Sequence, residues 1–389
     1  MDPRGTPMTT ASARRVLITG GAGFIGSRLS LALVARGHSV RVLDVLAPQI
    51  HGENPELSPL YRSIRGVVDF HRGSVCDESA VRAALDGIDC VVHLAAETGT
   101  GQSMYAIRHY ADVNVGGTAV LLDVIANDAL PVRKLVVASS RAVYGEGAYL
   151  CDVHARVFPA PRTAADMQAG DFEIHCPECR QVVLMMPTAE DAPLVPHSVY
   201  GVTKLTQEQL TLAVGRALGI SAIALRYQNV YGPGQSLSNP YTGILSIFST
   251  RIRNGRALNI FEDGTESRDF VYIDDVVDAT VRSIELQRPL VVALNVGAGV
   301  AVPVAELAAT LQSQLGVAVP VTVSGQFRVG DIRHNVADLQ RVDRVLGYRP
   351  TVSFAEGLSR FVRWVQDEAV QPDRYEQSLE ELRAKGLFK

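Results

Sequence analysis

The chain has 389 residues with a formal net charge of −4, and 47% of its residues are hydrophobic. This length and apolar content predict two or three domains with sizeable cores and exclude a disordered chain. The acidic balance disfavours nucleic acid and anionic membranes as partners, because both select basic surfaces. No apolar run reaches the ~18 residues that a membrane helix needs. The polar leader 1–14 is predicted to be disordered and lacks a signal-peptide core. Five cysteines are too few for a disulfide scaffold, so we expect a cytoplasmic protein.

Apolar runs with the character of strands alternate with helical patterns along the first 225 residues. Buried strands are predicted at 15–19, 39–43, 67–71, 90–94, 134–138 and 221–225. Helices are predicted at 24–36, at 77–85, in the stretch that ends near 127, and at 198–218. This alternation is typical of an α/β fold, here a Rossmann-type doubly wound parallel sheet with helices on both faces.

The rest of the sequence divides the chain into further segments. Residues 146–195 are rich in Pro, His, Cys and acidic residues and show no sustained period, so we interpret them as an insertion into a dinucleotide-binding domain at 15–225. Residues 226–366 mix helices with short strands, one of them at 291–296, and predict a smaller C-terminal α+β region that binds substrate. The polar residues 367–389 are predicted to form a helical tail.

A glycine-rich turn joins the first strand to the first helix. Residues 19–26 read TGGAGFIG, a spacing that lets the backbone approach a pyrophosphate at a helix N terminus. Asp44 ends the second strand, where a carboxylate accepts hydrogen bonds from a ribose diol and repels a 2′-phosphate, which favours NAD over NADP. The alternative is a tight turn without a ligand. The predicted cofactor contacts are Asp44 and the turn residues Gly20, Gly23, Phe24, Ile25 and Gly26.

Three polar residues are candidates for catalysis. Tyr200 and Lys204 are four residues apart on a predicted helix and therefore share one face. A phenol is a poor base at neutral pH, but a neighbouring ammonium lowers its pKa, and Lys204 is one of only four lysines in the chain. Ser140 lies at the end of the fifth strand, where such sheets bind ligands, and can hydrogen-bond a substrate hydroxyl or carbonyl. The alternative is a surface Tyr/Lys pair beside a turn serine.

The insertion carries two short motifs of metal-binding residues. Cys151 and His154 form C-x-x-H, and Cys176 and Cys179 form C-x-x-C. Two such pairs fit a tetrahedral zinc ion, and four protein ligands make the site structural rather than catalytic. The alternatives are two unrelated motifs or a redox-sensitive thiol cluster. Because the insertion lies between the candidate catalytic residues in the chain, we also expect it to lie beside the mouth of the active site, where it acts as a lid or shapes the substrate site.

Further motifs complete the pattern, namely VVHLAA at 91–96, NVGGT at 114–118, SSRAVYG at 139–145, LRYQNVYGPG at 225–234 and SRDFVYIDD at 267–275. With the glycine turn and YGVTK at 200–204, the chain resembles extended short-chain dehydrogenases/reductases of the NAD-dependent epimerase/dehydratase family. The resemblance implies that Ser140, Tyr200 and Lys204 are catalytic, that Tyr200 and Lys204 also contact NAD, and that Ser140 also contacts substrate. The further cofactor contacts that it implies are Leu94, Ala95, Ala96 and Asn114. The contacts that it implies for a dTDP- or UDP-sugar are Asn229, Arg268 and Arg328.

Within this family the residues favour one class of reaction. Dehydratases carry acidic residues just after the catalytic Ser or Thr, whereas Arg141 and Ala142 stand there, and neither is a general acid or base. We therefore predict a nucleotide-sugar 4-epimerase, which oxidises C4 and returns the hydride to the opposite face. Residues 226–249 and 261–277 resemble dTDP-L-rhamnose 4-epimerase-type members most. The alternatives are a 4-epimerase of a different dTDP- or UDP-sugar, an NAD(P)H-dependent 4-ketosugar reductase, a dehydratase or decarboxylase, and a non-enzymatic nucleotide-binding scaffold.

The family resemblance also implies an oligomeric state. Its members often dimerise through a four-helix bundle, and the helical segments at 102–126 and 198–218 match the two helices involved. We therefore expect a homodimer.

Overall fold

Seven parallel strands form the centre of the protein in a computed structural model, which describes residues 13–241 and 243–389. In spatial order the strands are Val291–Val296, Ser221–Tyr227, Lys134–Ser140, Cys90–His93, Arg15–Thr19, Ser39–Asp44 and Asp69–Arg72. The strand order reverses beside Arg15–Thr19, which pairs on one edge with Ser39–Asp44 and on the other with Cys90–His93. Doubly wound sheets bind ligands at the carboxyl ends of the strands around such a point. The predicted α/β class with a doubly wound parallel sheet is confirmed.

Apolar side chains on both faces of the sheet anchor the flanking helices. Alternate residues of a strand point to opposite faces, so Val16 and Ile18 pack in one core and Leu17 packs in the other. The helices on the first side are Phe24–Ala35 and Ile273–Glu285. The helices on the second side are Glu78–Leu85, Gly117–Asn127 and Val199–Leu218.

The remaining helices are short or belong to the second half of the chain. They are Pro48–His51, Pro59–Ile64, Thr100–Ser103, Ile107–Tyr110, Ala164–Gln168, Ile244–Arg253, Val304–Leu315, Gln340–Leu346, Phe354–Asp367 and Tyr375–Ala384. A π-helical turn at Ala111–Gly116 interrupts the long helix that we predicted up to residue 127. Across the described parts of the chain, no helix is both long and apolar enough to cross a bilayer.

The C-terminal half completes one side of the cleft with two small sheets. Four short strands form the larger of them, namely Asn229–Tyr231, Ser267–Tyr272, Ala301–Pro303 and His334–Asn335. Leu258–Ile260 and Val321–Val323 form the other. Val291–Val296, which we assigned to the substrate-binding region, instead pairs with Ser221–Tyr227 in the central sheet. The crossover through Ile273–Glu285 returns the chain to that sheet, as parallel βαβ connections do.

The insertion has a small fold of its own. Tyr149–Cys151 pairs with Ala155–Val157 and with Leu184–Met185, so that three short antiparallel strands form a sheet. Its core contains six buried residues, namely Tyr149, Cys151, Val157, Ile174, Cys176 and Val183. An apolar core of this size is too small to stabilise a unit without a staple such as a metal ion.

Candidate active site

A large cavity opens at the carboxyl ends of the central strands. Its volume is about 1180 Å³, larger than the ~300–1,000 Å³ typical of a site for one drug-sized ligand. The wall on the sheet side contains the glycine turn and the predicted catalytic residues, and the opposite wall comes from the C-terminal half. The cavity can therefore hold a dinucleotide and a second ligand together.

The glycine turn is built for a close approach of backbone to a phosphate. Gly20 has φ +69°, and a Cβ atom there would lie 2.8 Å from the backbone nitrogen of Ala95. A Cβ atom on Gly26 would lie 2.6 Å from the Cα of Gly21. The helix Phe24–Ala35 then begins without a side-chain cap, and its first turn holds no acidic residue. Its free N–H groups and helix dipole favour an anion, so this turn fits the pyrophosphate of NAD.

Asp44 holds the glycine turn and faces the cavity. Its carboxylate accepts hydrogen bonds from the backbone N–H of Ala22 at 2.9 Å and of Leu46 at 2.8 Å. A carboxylate has about four acceptor positions, so two of them remain for a ribose diol. Asp44 is therefore placed both to shape the turn and to bind the cofactor.

Ser140, Tyr200 and Lys204 line the same cavity. Ser140 ends a central strand, and Tyr200 lies in the first turn of the helix Val199–Leu218, whose N terminus is capped by Ser198. The backbone N–H of Tyr200 also donates to the Oγ of Ser103 at 3.0 Å, which fixes the start of the helix. These contacts hold the phenol beside the end of the strand.

The charge that acts on the Tyr200 phenol comes from Arg141. Burial raises the pKa of Tyr200, whereas a hydrogen bond from Ser140 and the charge of Arg141 oppose that rise. We expected the ammonium of Lys204 in this role. In the structure, burial lowers the pKa of Lys204 to about 7, and its Nζ donates to the Oε1 of Gln207 at 2.7 Å.

A buried polar network extends from Lys204 into the sheet. The Nε2 of Gln207 donates to the Oγ1 of Thr118 at 2.8 Å and lies 3.1 Å from the Nε2 of His93. The Nδ1 of His93 lies 2.7 Å from the Oγ1 of Thr19, at the end of the first strand. Burial, together with the charge of Lys204, lowers the pKa of His93 to about 3, so the imidazole is neutral. The network positions the lysine and leaves His93 outside acid–base chemistry at neutral pH.

Two arginines, Arg268 and Arg328, lie on the cavity wall opposite the central sheet. Arg268 donates to backbone carbonyls of Ser267, Arg333 and Ile332 at 2.8–2.9 Å, which holds its guanidinium rigidly. Arg328 forms a two-pronged ion pair with Asp331, with distances of 2.7 and 2.8 Å. Burial acts to raise the pKa of Asp331, but the charges of Arg328 and Arg268 outweigh burial and lower this pKa. Arginine forks suit phosphate oxygens, so this wall fits a diphosphate.

The predicted metal-binding residues come together inside the insertion. The ligand atoms of Cys151, His154, Cys176 and Cys179 all lie within 4.8 Å of one another. The insertion as a whole does not form the wall of the cavity, because none of the described residues 146–195 lines it. The structure therefore does not place the insertion as a lid over the cavity.

Comparison with known proteins identifies the family. The model of the NAD dependent epimerase/dehydratase family matches residues 16–163 and 178–297. The chain belongs to this family. It is similar to the dTDP-L-rhamnose 4-epimerase of Burkholderia thailandensis, with 38% identity over 91% of this chain and 96% of that protein. It is also similar to the UDP-glucose 4-epimerase of Mycolicibacterium smegmatis, with 31% identity over 91% of this chain and 99% of that protein.

A solved structure extends the comparison to the fold. The UDP-glucuronic acid 4-epimerase from Bacillus cereus, in complex with UDP-glucuronic acid and NAD, superposes with a TM-score of 0.73. It shares 26% identity with this chain and covers 91% of this chain and 99% of its own. The predictions of the epimerase/dehydratase family and of an enzyme of the nucleotide-sugar epimerase class are confirmed at the level of the family.

Most of the site residues that we predicted from the sequence lie together on the cavity wall. They are Gly20, Gly23, Phe24, Ile25, Gly26, Asp44, Leu94, Ala95, Ala96, Ser140, Tyr200, Lys204, Asn229, Arg268 and Arg328. Asn114 differs, because it is fully buried in the π-helical turn and does not reach the wall. Its side chain accepts from the N–H of Glu97 at 2.7 Å and donates to the Oγ1 of Thr203 at 2.9 Å. It therefore supports the cofactor side of the cavity from behind.

Sequence reasoning missed three residues of this epimerase/dehydratase site. From the sequence, Arg141 was used only as an argument against dehydration. In the structure its Nε donates to the Oδ1 of Asn229 at 3.2 Å, and its charge acts to lower the pKa of Tyr200. Asp331 pairs with a predicted substrate arginine, and Gln207 holds Lys204, which is predicted to be catalytic. The spacing of Gln207, three residues after Lys204 on one helix, is a signal that was present in the sequence.

Proposed function

We propose that this protein is an NAD-dependent nucleotide-sugar 4-epimerase whose substrate is dTDP-L-rhamnose. The observation that carries the reaction class is one cavity that combines a pyrophosphate-binding turn, the Ser140–Tyr200–Lys204 set and a wall with arginines for a diphosphate. The 38% identity to a dTDP-L-rhamnose 4-epimerase over nearly the full length of both proteins supports the choice of sugar.

The residues of the chain supply the acid–base chemistry. When bound, NAD⁺ would supply the redox chemistry, as the acceptor of the C4 hydride and later its donor. Tyr200 removes the proton from the C4 hydroxyl, and the positive charge of Arg141 favours the phenolate that this requires. Ser140 hydrogen-bonds the oxygen on C4 as it changes between hydroxyl and carbonyl. Lys204 orients the cofactor and is itself held by Gln207.

Inversion requires that the sugar turn over while its nucleotide stays in place. Arg268 and Arg328 on the facing wall hold the diphosphate. The cavity volume of about 1180 Å³ gives the 4-keto sugar room to rotate about its phosphate bond. When the hydride has returned to the opposite face of C4, Tyr200 gives the proton back to the C4 oxygen, so no net oxidation occurs.

The competing reactions differ in what they require of these residues. Dehydration needs an acid and a base next to Ser140, and Arg141 and Ala142 in the following positions supply neither. A 4-ketosugar reductase would use the same residues but exchange its cofactor at every turnover. The decisive difference is therefore whether NAD remains with the protein.

Cofactor content and turnover without added cofactor test the proposal. Protein purified without nicotinamide should release close to one NAD per chain on denaturation, and it should convert dTDP-L-rhamnose to its C4 epimer, followed by ¹H NMR. UDP-glucose serves as the comparison substrate. Failure to convert dTDP-L-rhamnose, together with reduction of a dTDP-4-keto sugar that consumes one NAD(P)H per turnover, would establish the reductase instead. Conversion of UDP-glucose but not dTDP-L-rhamnose would keep the epimerase and overturn the sugar.

We also propose that the insertion holds a structural zinc ion. With Zn–S near 2.3 Å and Zn–N near 2.0 Å, a tetrahedral site separates two sulfurs by about 3.8 Å and a sulfur from a nitrogen by about 3.6 Å. The Sγ atoms of Cys151 and Cys179 are 3.7 Å apart, and the Nδ1 of His154 lies 3.7 Å from Cys151 and 3.4 Å from Cys176. The Nε2 of His154 lies 3.5 Å from the carboxylate of Glu178, a second partner of the kind that metal-binding histidines use.

The homodimer stays a prediction with support from the surface. Gly117–Asn127 and Val199–Leu218 pack side by side, and Val202 on the second helix is 50% exposed. A partner helix would bury this apolar side chain. Light scattering after size exclusion should give the mass of a dimer, and Val202→Glu should shift it to a monomer; a monomeric wild-type protein would contradict the prediction.

A further inference from the structure

We infer that the metal centre of the insertion fixes the position of the substrate-binding segment 327–333 and thereby sets the affinity for the nucleotide diphosphate. This inference rests on the proposed zinc site and on the proposed role of Arg328. The metal would act at a distance, because its four ligands do not line the cavity.

The segment 327–333 depends on its neighbours for its shape. It contains no helix or strand apart from a single bridge between Arg328 and Phe388. On one side the C-terminal tail holds it, since the backbone N–H of Phe327 donates to the carbonyl of Lys389 at 2.9 Å. On the other side it contacts the insertion. Arg328 and Asp331 project from this segment into the cavity wall.

Arg162 of the insertion provides the first contact. Its guanidinium is 4% exposed and donates to both carboxylate oxygens of Glu262, at 2.7 and 2.8 Å. The same guanidinium donates to the backbone carbonyl of Asp331 at 3.1 Å. A buried, two-pronged ion pair of this kind is geometrically specific. Arg162 therefore fixes the backbone at the residue that pairs with Arg328.

Arg333 provides a second contact from the segment back to the insertion. Its side chain is fully buried and pairs with Glu262 at 2.9 Å, with Asp263 at 2.6 Å and with Glu173 of the insertion at 3.0 Å. The backbone N–H of Arg333 also donates to the Oε2 of Glu146 at 2.9 Å. The first residue of the insertion and a residue from its middle thus reach the same segment.

An apolar contact completes the interface. Met167 and Phe172 of the insertion pack with Phe327, and all three side chains are buried. Phe327 immediately precedes Arg328. A shift of Phe172 would therefore displace Phe327 and, with it, Arg328 at the cavity wall.

The metal controls this interface because it closes the loop that carries it. Arg162, Met167 and Phe172 all lie between His154 and Cys176, one ligand from each pair. Two of the six core residues of the insertion are themselves cysteine ligands. Without the metal, the loop loses its closure and the two core cysteines lose the ion that joins them, so the interface loses its support.

Binding of nucleoside diphosphates to NAD-loaded protein tests the inference. Cys176→Ser removes one ligand, and Cys76→Ser is the matched control, because Cys76 is an exposed free cysteine outside the cluster. We expect Cys176→Ser to lose zinc by elemental analysis, to keep its NAD, and to bind dTDP and UDP at least tenfold more weakly by calorimetry. Cys76→Ser should keep both zinc and affinity. A zinc-free Cys176→Ser protein with unchanged affinity would overturn the inference.

A second variant tests the interface with the metal in place. Phe172→Ala keeps all four ligands and should keep one zinc per chain, yet weaken diphosphate binding and raise KM with a smaller effect on kcat. Leu184→Ala, at a 66% exposed position of the insertion sheet, is its control. Equal affinity of these two variants would refute the coupling. Diphosphate binding and zinc content do not depend on turnover, so a wrong sugar or reaction would leave this test intact.

Discussion

The ammonium of Lys204, on the cavity wall, donates to the side-chain oxygen of Gln207, 2.7 Å away, and both residues are buried. The neutral amide of Gln207 is thus the hydrogen-bond partner of the Lys204 amine. Burial disfavours the charged form of this amine. The same amide donates to Thr118 and contacts the neutral His93, which ties the lysine to the end of the first strand. Gln207 therefore fixes where the amine of Lys204 lies without neutralising its charge.

Replacement of Gln207 tests this role. Gln207→Met keeps the volume but removes the acceptor, and hydrogen bonds to charged groups are worth about 1.5–3 kcal/mol. We expect kcat to fall about tenfold, since each 1.4 kcal/mol in the barrier is a factor of ten, while NAD stays bound. Thr206→Ala, one residue earlier on the exposed side of the helix, should retain wild-type kcat. Equal rates for the two variants would show that the amide does not position the lysine.

The buried lysine should also make stability depend on pH. Burial lowers the pKa of Lys204 to about 7, whereas in the unfolded chain it stays near its ordinary value of 10.5. Between these values the unfolded state binds more protons, so the contribution of Lys204 to the free energy of unfolding rises with pH. Lys204→Met removes the charge, and we expect it to be inactive but more stable than wild type at pH 7 by roughly 1–3 kcal/mol.

Urea denaturation of cofactor-free protein at several pH values measures this effect. The stability advantage of Lys204→Met should be greatest at or below pH 7 and should shrink toward pH 10. An advantage that is constant across this range would contradict the lowered pKa.

Arg141 should set the pH dependence of the reaction. Burial lowers its own pKa to about 10, so it remains a cation at neutral pH, and its charge opposes the rise in the pKa of Tyr200. Arg141→Met removes the charge and should raise the pKa of the phenol, which moves the acidic limb of the kcat profile to higher pH. Each unit of this shift lowers the rate at pH 7 about tenfold. Arg141→Lys keeps a cation and should restore part of the profile; identical profiles for both variants would exclude an electrostatic role.

The parts of the site that could be predicted from the sequence are those whose residues lie close together in the chain. The glycine turn, Asp44 and the Tyr200–Lys204 pair each depend on spacing within one strand–turn–helix unit or one helix. Arg141 and Asn229 are 88 residues apart, and the Arg162–Glu262 pair spans 100 residues, so only the folded chain brings them together. The strand Val291–Val296 was predicted correctly as a strand but given to the wrong sheet, because its partner is chosen by the crossover and not by its own residues.

Substitutions of Gly23 and Gly26 in the turn should fail in different ways. A Cβ atom on Gly26 would lie 2.6 Å from the Cα of Gly21, a backbone clash that only a shift of the turn can relieve. Gly26→Ala should therefore lose about 1–3 kcal/mol of stability, as overpacked sites do, and should also lose NAD. On Gly23 the nearest atom to a Cβ would be 3.4 Å away, and its φ of −73° suits any residue. Gly23→Ala should keep its melting temperature within a few degrees and lose only cofactor affinity, because the new methyl group enters the space at the helix N terminus. Melting curves with fluorescence titration of NAD distinguish the two; a Gly23→Ala protein that binds NAD normally would place the pyrophosphate elsewhere in the cavity.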